Sequence, residues 1–422
     1  MTITLKSRLV FIPTLFSLCC CLHSCAINKG SLQPLKDNIS IIHLSGTPQE
    51  IGTQHGTLLK ENIKKAIQDA WDYVDFIVPS KDDILSKAMI RGALYGTAKK
   101  YLPYIPEEYI TEMKALAESA GVTFDDILLI NTGPETPLEA ASVMKSGFCT
   151  STVLNNEMTI DGSLFHSYNE DIYFPPSGIT DKETHYKKVR FFDKYKVVYF
   201  YRPQNGNSFT VSFVCGFINA FAGMNEHGIC ISLVGPPPNS KLAMGMPVGF
   251  QIRSILQKAR TLIEAIDMAK SARWTLEGQI AISDGKTTVS PANRGKTNNA
   301  VLIDFGPDKC DITELKNGKL SEGFGGNQMN KLLSTRGYDK KLTLDLLINR
   351  LRYQPYDWDG ICSKATAYSM VFHPSTRRFW VAIGNAPAPT GTYFGFDLMK
   401  QSRLTKDTDN FHPTYPYNKE NK

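Results

Sequence analysis

Residues 149–171 read CTSTVLNNEMTIDGSLFHSYNED. Two runs rich in β-branched and aromatic residues, CTSTVLN and SLFHSYN, flank Asp161-Gly162. That dipeptide favours a tight hairpin because its positions tolerate positive φ. Strands joined this way lie side by side, and the end of the second returns to the start of the first. Asn169 and Asp171 are therefore expected beside Cys149. A thiol and a carboxylate brought together by local geometry form a nucleophile with an orienting group.

Outward from this stretch the chain changes character. Before Cys149 it reads as mainly helical. Thr47 caps a helix, Pro48 suits its first turn and Glu50 completes a capping box. Ile51, Leu58, Leu59, Ile63, Ala66, Ile67 and Ala70 follow at helical spacing, so one helix is expected from Thr47 to about Trp71. PEEYITEMKALAESAGV is a second helix ending at Gly121, and TFDDILLIN starts a short third. After Cys149, KVVYFY, SFTVSFVCGF, GQIAISD and NAVLIDFG are strand-like. AFAGMNEHGICISLVG reads as strand, turn at Asn225 to Gly228, strand, with Asn225 a turn former. AYSMVFHPSTRRFWVAIGN is a hairpin around Pro374-Ser375, and VGFQIRSILQKARTLIEAIDMAKSA is a helix. Segregated helices and strands predict an α+β fold with helices layered on antiparallel sheets.

The 422 residues are 42% hydrophobic and 21% charged, enough for a packed core, and the net charge of +6 is small for the length. No basic stripe interleaves with aromatics, which argues against nucleic acid as a partner. Lys187-Lys188-Val189-Arg190 reads as a solvated strand face. Lys6 and Arg8 precede the apolar run Leu9–Leu22, the layout of a secretory signal and too short to span a bilayer comfortably. Leu22-His23-Ser24-Cys25 resembles a bacterial lipobox in which Cys25 is lipidated. The chain is therefore expected to be exported, as a membrane-anchored lipoprotein or a periplasmic protein. Of nine cysteines, four fall in that region. Cys149, Cys215, Cys230, Cys310 and Cys362 remain, an odd number without the spacing of a zinc site. Cys215 and Cys230 sit in apolar runs and read as core thiols, whereas Cys149 lies among Phe148, Thr150, Ser151 and Thr152. His55 and His166 are the histidines a papain-like mechanism would need, and both read first as packing residues.

The pattern CTSTV…DGSLFHSYNED resembles the start of the catalytic chain in cysteine N-terminal nucleophile (Ntn) hydrolases, above all the penicillin acyltransferase-like peptidase family. Choloylglycine hydrolases and acid ceramidases are more distant relatives. GTPQEIGTQHGTLLKENI, IPEEYITEMKALAESAGVTFDDILLIN, GMNEHGICISL, GGNQ…STR and TAYSMVFHPSTRRFWVAIGNAP follow in that family's order. The resemblance implies a four-layer αββα sandwich with an N-terminal helical segment. It implies self-cleavage between Phe148 and Cys149, after which the α-amine of Cys149 serves as base for its own thiol. An α-amine near pKa ~7.7–8.0 and a thiol near ~8.5 exchange a proton at little cost.

By the same resemblance Asp171 orients the amine and thiol, Asn327 in FGGNQ helps hold the oxyanion and Arg336 in STRG stands near the site. Two positions depart from some relatives: Tyr168 where bile-salt and ceramide enzymes carry arginine, and Val234 where several carry asparagine. The implied organisation is a signal or lipobox region at 1–25, a mainly helical pro-segment or small subunit at 26–148, a catalytic region at 149–404 and a disordered tail at 405–422. The implied reaction is hydrolysis or acyl transfer on a small-molecule N-acyl amide through a thioester, with no cofactor and no metal, the two chains staying associated. A non-catalytic binding lipoprotein and a histidine-dependent cysteine peptidase are the alternative readings.

Overall fold

The computed structural model describes residues 30–36, 39–78, 84–136, 149–155, 158–172, 180–235, 241–286, 299–315, 319–323, 329, 342–353, 361–406 and 409–412. In chain order, β1 (Ser31–Lys36) and β2 (Ile39–Gly46) precede α1 (Pro48–Leu58), α2 (Lys60–Ile77), α3 (Ile84–Lys99), α4 (Glu107–Ala120) and α5 (Phe124–Asn131). β3 (Thr150–Leu154), β4 (Phe165–Asp171) and α6 (Lys182–Val189) follow, then β5 (Lys196–Pro203), β6 (Phe209–Val214), β7 (Ala222–Asn225) and β8 (Ile229–Val234). Next come α7 (Val248–Lys258), α8 (Leu262–Ser271), β9 (Gly278–Asp284), β10 (Ala300–Gly306), β11 (Lys309–Glu314) and β12 (Lys319–Gly323). α9 (Leu344–Leu351), β13 (Thr366–His373), β14 (Arg378–Ile383), β15 (Phe394–Asp397) and β16 (Ser402–Arg403) complete the described chain.

The strands form two sheets. One runs β1-β2-β5-β6-β7-β8-β9-β10-β11, the other β12-β3-β4-β13-β14-β15-β16. All neighbours are antiparallel except β2 and β5. Strand alternation builds the layers. On β5, Val197, Tyr199 and Tyr201 face a core shared with α1, α2, α4, α5, α7 and α8. Val198 and Phe200 face the other way, toward Tyr168, Met370, Phe379 and Phe396 of the second sheet. Leu154, Phe165, Val371 and Trp380 cover the outer side of that second sheet with α9. The order is helices, sheet, sheet, helix, an α+β sandwich, as expected.

Local signals account for much of this. Thr47 and Glu50 form the reciprocal capping box, and Gly121 ends α4 in the left-handed region at φ 71°. Gly52 and Gly56 let α1 lie directly on α4. A Cβ on Gly52 would sit 2.2 Å from the Glu112 carbonyl oxygen, and one on Gly56 would sit 2.1 Å from Ser119 Oγ.

Several expectations need correction. The helix read as continuous from Thr47 breaks at Leu59, whose backbone leaves helical values while its side chain enters the core. The helix after Pro247 is two, because Thr261 caps α8 and the buried carbonyls of Leu256 and Ala259 at the end of α7 accept from the side-chain amides of Asn207 and Asn225. Lys187 and Lys188 lie on a helix, α6, not a strand, and Val189 beside them is buried. The segment before Cys149 is mostly helical but also supplies β1 and β2 to the larger sheet, with β2 against β5. Order extends past residue 404: Phe411 bridges Tyr393, and the Asp409 carbonyl accepts from the Trp380 indole.

Candidate active site

The expected strand pair exists, but its connection differs. β3 and β4 pair antiparallel from Thr150↔Asn169 to Leu154↔Phe165, and the ladder stops there. A two-residue turn at Asp161-Gly162 would instead have set Leu154 opposite Asn169. The connecting segment leaves the hairpin because Thr159 bridges Leu342 in parallel. Asp161-Gly162 turns within that excursion, with Gly162 at φ 76°. The slip from Asn169 to Phe165 is an even number of residues, so every side chain keeps the face the simple hairpin assigns it.

Cys149 immediately precedes β3 and is 7% exposed. The register places it opposite Glu170, one step beyond the Thr150↔Asn169 pair. It therefore shares the inner face with Ser151, Tyr168 and Glu170. Tyr168, Glu170 and the Asp171 backbone N–H all act on the proton affinity of the thiol. The Tyr168 hydroxyl also donates to Glu170 Oε2. Asp171 is thus brought to Cys149, as expected, but the contact is made by its N–H and its charge. Its carboxylate accepts from Thr366 Oγ1 at 2.5 Å.

A bulge in β13 makes this possible. Thr366 pairs with Asp171 and Tyr368 with Glu170, with the register shifting between them. Residues two apart normally share a face; here Thr366 serves one carboxylate while Tyr368 stands beside the other. Buried Lys196 braces the bulge, donating to the Ala367 and Gly384 carbonyls and to Asp193 Oδ1 at 2.7 Å. Asn169 faces away from the thiol and donates to the Leu351 and Ile361 carbonyls under α9.

Burial and crowded negative charge set the proton affinities. Burial first, then Glu170 and Asp171, push the Cys149 thiol well up. Burial pushes Asp171 well above its usual range, with the Glu170 charge adding to the effect. Burial pushes Glu170 up to about 7, opposed by hydrogen bonds from Tyr168, Tyr368 and Cys149. Tyr168 and Tyr368 are fully buried phenols held protonated.

Neither candidate histidine reaches this cluster. His166 bonds Ser283 Oγ at 2.8 Å and Ser232 Oγ at 2.7 Å, and Ser232 in turn bonds Ser151, so it ties the two sheets together. His55 Nε2 accepts from the Gly216 N–H at 3.2 Å, under the helical layer. Burial holds both imidazoles near pKa 3. Val234 is buried at the end of β8. Cys215 and Cys230 are buried free thiols, as read. Among the described residues no cluster of three His, Cys, Asp or Glu side chains could hold a metal. Phe148, Asn327, Arg336 and Cys25 lie outside the described residues.

The sequence reading missed Glu170, Thr366 and Tyr368. Alternation alone puts Glu170 on the face of Cys149, but that it stands opposite follows only from the observed register. The other two come from a strand nearly two hundred positions away. A separate surface cleft of about 460 Å³ lies between α2 and the α6 region, lined by Asp69, Asp72, Lys187, Lys188 and Lys194.

No family model matches the chain. An uncharacterised protein of Archaeoglobus fulgidus is 24% identical over 304 residues, 67% of this chain and 46% of that protein. Proteins dcd1B and dcd1A of Dictyostelium discoideum are each 24% identical, over 55% and 61% of this chain and 45% and 59% of their own lengths. The chain thus spans about half the length of the curated relatives it matches.

Solved structures with partial overlap include a Caenorhabditis elegans N-acylethanolamine-hydrolyzing acid amidase ortholog, at 17% identity and TM-score 0.37 over 54% of this chain and 93% of that one. A mutant of conjugated bile acid hydrolase from Clostridium perfringens gives 13% and 0.38 over 64% and 97%. Penicillin V acylase from Agrobacterium tumefaciens gives 12% and 0.34 over 60% and 87%. The architecture described above rests on the chain's own sheets.

Proposed function

We propose that this chain is an N-terminal nucleophile amide hydrolase or acyltransferase of the penicillin acyltransferase-like type. Cleavage of the Phe148–Cys149 bond frees Cys149 as the head of a new polypeptide, and its α-amine becomes the base for its thiol. Attack on a linear N-acyl amide gives a thioester, which water or an amine resolves. Asp171 holds the nucleophile in place, Asn327 supports the oxyanion and Arg336 completes the site. Residues 26–148 become a small chain that stays bound, and Cys25 carries the lipid that anchors an exported protein.

One observation carries the reading: Cys149 stands directly before an inner strand of the sandwich, with Glu170 opposite it and Asp171 next along β4. Nucleophile and first residue of the new chain are then one residue, buried between the two sheets. The sequence motifs around it occur in the family's order over nearly the whole chain after the leader. The neutral Tyr168 and apolar Val234 at positions where relatives carry arginine and asparagine point away from bile-salt and ceramide substrates. They are also what would favour a non-catalytic binding protein.

Mass spectrometry of the purified protein separates the readings. Two fragments, the larger beginning at Cys149, are expected from the wild type, and a single intact chain from Cys149→Ala. An intact wild type would favour the binding protein. An uncut enzyme inactivated by His55→Ala or His166→Ala would favour the peptidase. Processed protein assayed against a panel of N-acyl amides, including bile-salt conjugates and penicillins, then assigns the acyl group.

A further inference from the structure

Self-cleavage poses a problem that turnover does not. Before the bond breaks, the nitrogen of Cys149 belongs to a peptide and cannot accept a proton. Some other group must take the thiol hydrogen. Resting on the N-terminal nucleophile reading, we propose that Glu170 is that group: a catalytic carboxylate that accepts the Cys149 proton and returns it to the departing nitrogen.

The geometry supports this directly. The β3–β4 register sets Glu170 opposite Cys149 on the inner face, and thiol and carboxylate each act on the other's proton affinity. The Tyr168 hydroxyl donates to Glu170 Oε2 and, like Cys149, lies on the inner face. The groups acting on Glu170 are Tyr168, Tyr368 and Cys149, with Asp171 beside it on the same strand. Among these described groups there is no cation. Tyr168 is neutral where a cation would hold both carboxylates ionised. Burial instead leaves Glu170 titrating at about 7, where a general base is most effective.

The step balances. The S–H proton passes to the Glu170 carboxylate as sulfur bonds the carbonyl carbon of the preceding peptide. The C–N bond then breaks, and the nitrogen takes the proton from Glu170 to become the free α-amine. A thioester joins residue 148 to the Cys149 sulfur. Water hydrolyses it, leaving a carboxylate on residue 148 and the thiol restored.

The test uses the full chain carrying Glu170→Gln, with folding checked by thermal melting, and has two readouts. Appearance of the fragment beginning at Cys149 is followed against pH. Alkylation of Cys149 by iodoacetamide is followed over the same range on the peptide that still spans residues 148–149, so that only uncut chain is read in both proteins. In the wild type, cleavage should accelerate as pH rises through about 7 and Glu170 ionises. In Glu170→Gln it should slow by roughly 100-fold, the lower bound for a general base. The alkylation midpoint should move the other way, to lower pH, because the variant removes a negative charge beside the thiol. A merely structural role would slow cleavage without lowering that midpoint. Wild-type cleavage rates in the variant, or an unmoved midpoint, would overturn the proposal. A wild type that never cleaves, while the midpoint still falls in the variant, would overturn the N-terminal nucleophile reading and keep Glu170 as the thiol's proton partner.

Discussion

At the scale of single residues, the site is a set of acids packed closely enough to compete for protons. Glu170 titrates at about 7 in the folded chain, above its ordinary value of 4.5. The folded state therefore binds more protons than the unfolded state between those values. Stability should decline as pH rises from about 4.5 to about 7, and Asp171, also shifted upward, adds to the decline. Urea midpoints at pH 5 and pH 8 measure this, and Glu170→Gln should lose less between them than the wild type. Thr366 gives Asp171 its side-chain hydrogen bond. Thr366→Val keeps the shape and removes the donor, so the buried carboxylate loses a partner at a cost of about 1–3 kcal/mol, read by urea unfolding. None of this follows from composition. A carboxylate next to Asp171 was visible in the sequence, but its affinity depends on burial and on Tyr368 arriving from a distant strand, as that of Asp171 depends on Thr366.

At the scale of elements, helix ends and strand faces follow from local chemistry, whereas connections do not. Thr47 and Glu50 specify the start of α1 because side chain and backbone satisfy each other within one turn. The β3–β4 excursion was not legible, because Thr159 is drawn off by Leu342, far along the chain. Likewise, Gly52 and Gly56 look like poor helix formers until α4 is seen lying on them. Gly52→Ala places a methyl group against the Glu112 backbone, so α1 and α4 must separate. A loss of at least about 1–3 kcal/mol is expected, the usual range for overpacking, measured as a lowered melting temperature. An unchanged melting temperature would mean the two helices can part freely.

At the scale of the whole molecule, the segment before Cys149 is part of the sandwich. β2 pairs with β5, and Asn131 accepts from the backbone of Ile218 and Asn219. Buried Arg253 on α7 makes a two-pronged ion pair with Glu112 on α4, at 2.6 Å and 3.0 Å. If the chain is cut before Cys149, these contacts should keep the halves joined. The fragments should co-elute in size exclusion and separate only in denaturant. Arg253→Met leaves Glu112 buried without its partner, a loss of about 3–5 kcal/mol, and should lower the denaturant concentration at which they separate. By itself the sequence determined the capped start of α1, the strand faces and the α+β class. Those properties depend on periodicity and on neighbours a few residues apart. Only the tertiary structure decided that β1 and β2 complete the larger sheet, that a bulge in β13 serves two adjacent carboxylates, and that Glu170 faces the thiol without a cation among its described partners. Those properties depend on burial and on contacts between distant strands, which no local pattern encodes.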